Sequence, residues 1–185
     1  FLTPEKGLHR ILAGLAAAVA LDVPARLLLV GEGRGLGEVM SAAAAAGVAD
    51  RVRAVGWLDR AGFLTAPAAA DLGVVLRTPS AGETSAAAVR FLACGTPVAV
   101  GGGPQFLEWP EAAAPRLTPG PAAAADLARL LAAAAADRPA WESRRLAARA
   151  AYGTQHRPER SAEDLLAFLS TLPPAAAALT AAARG

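Results

Sequence analysis

One cysteine, one methionine, one tyrosine and two histidines are all that 185 residues supply of those types. The lone Cys94 excludes an internal disulfide and any cysteine-built zinc cage. Within the apolar run Phe91-Leu92-Ala93-Cys94 it reads as a small core residue, not a nucleophile. His9 and His156 stand far apart in the chain and neither belongs to a ligand motif, so no metal is expected. Acidic and basic residues nearly cancel, 16 against 18, for a net charge of +2. That is too little to argue for nucleic acid, and the cluster Arg144, Arg145, Arg149 reads as a solvated helix face. No apolar run reaches the ~20 residues of a membrane span. The first residues do not read as a secretory signal. The expected location is the cytoplasm, the inner face of the membrane included, with any membrane contact made through parts outside this chain.

What is present is hydrophobic residues, 54% of the chain, many of them alanine. Alanine gives up little entropy in a helix, so a helix-rich protein is expected. The chain opens inside a hydrophobic element, "FLTPEKG", which reads as a strand cut short and hence as a piece of a longer polypeptide. Strand-like and helix-like stretches then alternate. Phe1-Leu2 reads as a strand end. Helical spacing runs over 9–21 and 36–46, with short helices over 60–66 and 85–94. Continuous apolar runs at 26–30, 52–55, 72–76 and 97–100, with a last one near 115–117, read as strands buried on both faces. After Gly120 the pattern is helical over 122–136, 139–152 and 158–169. Residues 1–170 thus read as one α/β domain: a Rossmann-like parallel sheet of about six strands with helices on both faces, followed by C-terminal helices. Residues 171–185 form an Ala/Pro-rich, low-complexity tail, for which disorder is the compositional reading.

Parallel sheets of this kind bind ligands beyond the carboxyl ends of their strands. That rule selects the loops at Lys6, Gly31–Arg34, Trp57–Asp59, Pro79–Ser85 and Gly101–Gln105. The glycines of "GEGRGLG" invite a dinucleotide, but in either register the third glycine of G-x-G-x-x-G is missing: Leu36 or Glu38 stands there. The stretch "PSAGETS" offers more. A helix start near Thr84-Ser85 presents unpaired N–H groups and a positive dipole end to a phosphate. Gly82 permits close backbone approach. Glu83 would repel a phosphate but can accept from sugar hydroxyls, and the two needs together describe a nucleotide sugar. The alternative at this point is structural: Ser85 or Thr84 caps the helix and Glu83 complements its dipole.

Several segments, in order, resemble the C-terminal donor-binding domain of retaining GT-B glycosyltransferases of family 4, group 1 type. They are "TPEKGLHRILAGLAAA", "ARLLLVGEG", "VRAVGWL", "AAADLGVVL", "PSAGETSAAAVRFLACGTPVAV" and "GGGPQFLEWPE". The most specific is Pro79–Val100, where Glu83 follows Pro79 by four positions and "ACGTPV" matches the family's AxGxPV turn. The resemblance implies that a nucleoside-diphosphate sugar is the substrate and that no metal or other cofactor is required. Lys6 would meet the donor diphosphate, with Gly82, Thr84 and Ser85 holding phosphate. Glu83 would contact the donor sugar. Gly31, Trp57 and Leu58 would flank the nucleobase, with Arg90 near the ribose. Glu108 resembles the acidic residue of the loop after the fifth strand. The acceptor would belong to a missing N-terminal domain, so that this chain alone is expected to be inactive while the whole protein is a hexosyltransferase-like enzyme.

Two positions depart from the family pattern. Its second glutamate falls on Arg90, and an arginine common near the start of the domain falls on Phe1. A second reading follows, a non-catalytic nucleotide- or sugar-binding module that kept the fold. A third, an NAD-dependent oxidoreductase, is disfavoured by the failed glycine fingerprint.

Overall fold

The computed structural model describes residues 2–78 and 82–172. The first helix, α1 (Leu8–Val19), buries Leu8, Ile11, Leu12, Leu15 and Ala18, the one-sided stripe its spacing predicts. It is followed by β1 (Leu27–Leu29), α2 (Gly35–Ala45), β2 (Val52–Ala54) and α3 (Arg60–Thr65). Next come β3 (Gly73–Val75), α4 (Ala86–Ala93), β4 (Val98–Gly101) and β5 (Arg116–Leu117). Three helices close the described chain: α5 (Ala122–Ala136), α6 (Arg138–Gln155) and α7 (Pro158–Ser170). Short polar side chains start several of them by accepting from otherwise unpaired amides. Asp59 accepts from the Gly62 amide at 2.8 Å, Asp137 from Ala140 at 2.9 Å and Ser85 Oγ from Ala88 at 3.3 Å.

All strand pairing is parallel, with Leu27 opposite Val52, Gly73 opposite Val98 and Val100 opposite Arg116. The α/β class is as expected, but the sheet differs in detail. The described residues hold five strands in two ladders, β1-β2 and β3-β4-β5. Leu2 does not extend a strand. It is buried, its amide donates to the Glu32 carbonyl at 2.8 Å and its carbonyl accepts from the Gly35 amide at 3.2 Å, both between the end of β1 and the start of α2. Its backbone partners lie outside any strand, so no ladder forms there, and Phe1 lies outside the described residues.

One hydrophobic cluster packs α1 against α5 and the strands, joining Leu12, Leu15 and Leu127 to Leu29 of one ladder and Ala99 of the other. A second surrounds α4 and α6, with Leu92, Val98, Val100, Phe106, Trp109 and Ala148. Thr96, fully buried, donates from its hydroxyl to the Pro67 carbonyl at 2.8 Å and so anchors the turn before β4. Cys94 is half-buried, its thiol 3.5 Å from the Leu64 carbonyl.

The arginine cluster on α6 is only in part the solvated face expected of it: Arg149 is exposed, whereas Arg144 and Arg145 are half-buried. Arg145 donates to the Ala70 carbonyl at 3.2 Å, and Arg144 donates to the carbonyls of Glu111 and Ala112 at 3.2 and 3.3 Å. The Arg149 side chain packs against Gly95. Guanidinium groups satisfy loop carbonyls here while their stems cover apolar surface. By contrast, α7 buries none of its residues, and Leu165, Leu166 and Phe168 are exposed. Most of the expected disordered tail, residues 173–185, lies outside the described residues.

Candidate functional site

The loops beyond the carboxyl ends of the strands are joined by a chain of backbone hydrogen bonds through residues 2–6. The Gly31 amide donates to the Gly56 carbonyl at 2.7 Å, which ties the loop after β1 to the loop after β2. Leu2 donates to Glu32 at 2.8 Å and accepts from the Gly35 amide at 3.2 Å. Three residues on, the Glu5 carbonyl accepts from the Thr78 amide at 2.9 Å, which ties the same segment to the loop after β3. The glycines of "GEGRGLG" have a local purpose in this arrangement. Gly33 has φ 157°, and a methyl group there would overlap the Leu2 backbone carbonyl. Close chain packing thus accounts for Gly33 without a dinucleotide.

Lys6 ends a single 3₁₀ turn, Pro4–Lys6, immediately before α1. Arg10, one turn into α1, donates through Nη2 to the Leu76 carbonyl at 3.2 Å and to Thr78 Oγ1 at 3.1 Å. The start of α1 is therefore fastened to the end of β3 by two side-chain bonds and one backbone bond. A cavity of about 270 Å³ lies at this junction, lined by Thr3, Glu5, Lys6 and Arg77. A neighbouring one of about 280 Å³ extends past Gly82, Gly101–Gly103, Gln105 and Thr118. Arg77 lines both.

Glu83 is partly exposed, and its carboxylate pairs with Arg77 Nη1 at 2.9 Å. Gly82 before it has φ 85°, a left-handed value that disfavours any side chain, with open space where a Cβ would stand. Thr84 is exposed. Ser85 caps α4 through its oxygen, as the structural alternative had it, while its hydroxyl proton is left to donate. Across the junction, hydrogen bonds from the Thr3 side chain and, to a lesser extent, the Glu5 backbone hold the Glu5 carboxyl below the ordinary carboxylate range, and the positive charges of Arg77 and Arg34 add to the effect.

Of the residues singled out in the sequence, Lys6, Gly82 and Glu83 stand around the junction where Arg77 separates the two cavities. Gly31, Trp57 and Leu58 form a second group through the Gly31–Gly56 pairing, with Trp57 71% exposed and thus open to a planar ligand. Arg90 lies apart, its guanidinium 4.5 Å over the Phe63 ring. Glu108 lines neither cavity. Its carbonyl accepts from Gln155 at 3.2 Å, and its carboxylate acts on His156. Sequence reasoning missed Arg77 and Arg10. The signal for Arg77 was available, since "LGVVLR" puts a cation directly past the carboxyl end of a buried strand. Among the described residues, no three His, Cys, Asp or Glu side chains converge as a metal site would require.

The fold is that of a Rossmann-like α/β unit. No protein-family model matches the sequence, and no curated protein does. Solved structures do. Anabaena HepE in complex with UDP superposes with a TM-score of 0.77 at 24% identity, over 92% of this chain and 47% of that one. HepE in complex with UDP-glucose gives 0.76 at 23% identity over the same shares. WaaG, a glycosyltransferase involved in lipopolysaccharide biosynthesis, gives 0.68 at 22%, over 86% and 43%. Sucrose-phosphate synthase from Thermosynechococcus elongatus gives 0.59 at 26%, over 81% and 39%. The chain thus spans about half the length of these proteins or less, and it has the fold of one half of a GT-B glycosyltransferase.

Proposed function

We propose that this chain is the donor-binding half of a glycosyltransferase that moves a sugar, a hexose, from a nucleoside diphosphate to an acceptor with retention at the anomeric carbon. The acceptor site belongs to the other half of a longer polypeptide. In this reading the nucleobase rests against Gly31, Trp57 and Leu58, and the ribose lies towards Arg90. Lys6 and the amides of Gly82, Thr84 and Ser85 meet the diphosphate. Glu83 accepts from hydroxyls of the donor sugar. A leaving nucleoside diphosphate gains negative charge in the transition state, and fixed positive groups that meet it lower the barrier.

The observation that carries the reading is that Lys6 on one cavity and the left-handed Gly82 on the next meet at Arg77, which lines both and pairs with Glu83, in a fold shared with HepE, whose solved complexes hold UDP and UDP-glucose. Calorimetric titration of the chain with UDP, GDP and ADP tests it. One of the three should bind saturably with one-to-one stoichiometry, and its parent nucleoside more weakly. No saturable binding to any of them contradicts the reading.

A second reading, a binding module without transfer activity, is favoured by Arg90. It stands where the resembled family carries a glutamate and is held against Phe63. The two readings separate in the full-length protein, where only the first gives donor-dependent sugar transfer.

A further inference from the structure

Lys6 is not the only cation at the junction. Arg77 lines the same cavity, and the backbone bond from the Thr78 amide to the Glu5 carbonyl (2.9 Å) fixes the two stretches side by side. That proximity is set by main chain and by the Arg10 brace, so it does not depend on the rotamer of either long side chain. The Arg77 side chain is 54% exposed. One of its nitrogens, Nη1, is engaged by Glu83 at 2.9 Å. A guanidinium has five N–H donors in a planar fork, so this contact leaves donors to spare. A diphosphate has more negative charge than one lysine offsets, and a planar fork meets two of its oxygens at once where an ammonium meets them as a point.

We infer that Arg77 is the second cation of a diphosphate-binding site, donating to phosphate oxygens in the cavity it shares with Lys6 while Nη1 holds the Glu83 carboxylate in place. The inference deepens the donor-site reading above and rests on it. It assigns Arg77 two contacts, one to phosphate and one to the group that reads the sugar. Arg77 thereby links recognition of the two parts of the donor. Glu5 lines the same cavity and stays ionised, its carboxyl held below the ordinary range by hydrogen bonds from Thr3 and its own backbone, so its charge is one more that the paired cations Lys6 and Arg77 offset and that a lone lysine would not.

Calorimetry with inorganic pyrophosphate, the preferred nucleoside diphosphate and the corresponding nucleoside tests the assignment. Arg77→Gln should weaken pyrophosphate and nucleoside diphosphate by about tenfold or more and leave the nucleoside unchanged. Arg77→Lys should recover part of the loss, and the loss should shrink in 1 M salt, where charges are screened within ~3 Å. The same comparison in a Glu83→Gln background removes the unmasked carboxylate as a cause, and the loss should persist there. If Arg77→Gln binds all three ligands as the unmodified chain does while Lys6→Gln does not, Arg77 is excluded and the donor site stands. Equal losses for all three ligands, nucleoside included, also overturn the assignment. If neither pyrophosphate nor any nucleoside diphosphate binds the unmodified chain, both the assignment and the donor-site reading fail.

Discussion

Glu83 carries a charge that a phosphate repels, yet it sits one residue past the left-handed Gly82 and two before the cap of α4. Its role as a reader of sugar hydroxyls is separable from a helix-dipole role. Glu83→Gln keeps the shape and exchanges a charged acceptor for a neutral one. Hydrogen bonds to charged groups are worth ~1.5–3 kcal/mol, so affinity for the intact nucleotide sugar should fall by roughly one to two orders of magnitude. Affinity for the bare nucleoside diphosphate should hold or rise, since a repulsive charge is gone. Unchanged sugar-nucleotide affinity with only a lowered melting temperature would assign Glu83 to the dipole instead. Glu83, Gly82 and Lys6 were singled out in the sequence by their place past the ends of strands and by the family resemblance, and they stand around Arg77 in the structure. Arg10 was not. It reaches the Leu76 carbonyl across 66 positions of sequence, and nothing local to "HRIL" announces a partner that distant. Arg77 was readable by position but not by pairing, since nothing local to "VVLR" announces that Glu83 is its partner.

At the scale of elements, the long amphipathic helices and the buried apolar strands were legible, because a periodicity of 3.6 or a continuous β-rich run spans enough residues to be distinctive. The 3₁₀ turns Pro4–Lys6 and Pro104–Phe106 were not, since three residues hold no period. Arg144 and Arg145 of α6 were misread because charge was equated with solvent, whereas their donors serve carbonyls of neighbouring loops. The end of α6 also carries a pH dependence. His156 follows Gln155, its ring 4.9 Å from Trp109, and its Nε2 is buried with no partner among the described residues. Burial pushes its pKa below the ordinary 6.5, and the Glu108 carboxylate offsets part of that effect. With the folded value below the unfolded one, the unfolded chain takes up the proton first as pH falls. Stability contributed here is present above 6.5, falls between 6.5 and the lowered folded value, and is level below that. Melting temperatures measured from about pH 7.5 to about 4.5 should drop less steeply for His156→Phe than for the unmodified chain. Parallel curves would remove His156 from the pH response.

At the scale of the whole molecule, the loops past the strands are tied together by a short segment that holds one 3₁₀ turn and no strand. Residues 2–6 bond to the loop after β1 through Glu32 and Gly35 and to the loop after β3 through Thr78, while α1 and α5 bring both ladders into one core. The α/β class and the alternation of elements were legible at this scale. The division into two ladders was not, because strand order follows from long-range pairing that no local pattern encodes. The central claim is that one ligand lies across these bonded loops, its base at Gly31 and Trp57 and its phosphates between Lys6 and the start of α4. Amide chemical-shift mapping of the isotope-labelled chain, titrated with the nucleoside diphosphate that calorimetry selects, tests this most directly. The account predicts saturable shifts concentrated at Lys6, Gly31, Trp57 and Gly82–Ser85, with one dissociation constant fitting all of them. Shifts confined to Gly101–Thr118, or to exposed α7, with Lys6 and Gly82–Ser85 unmoved, would contradict it.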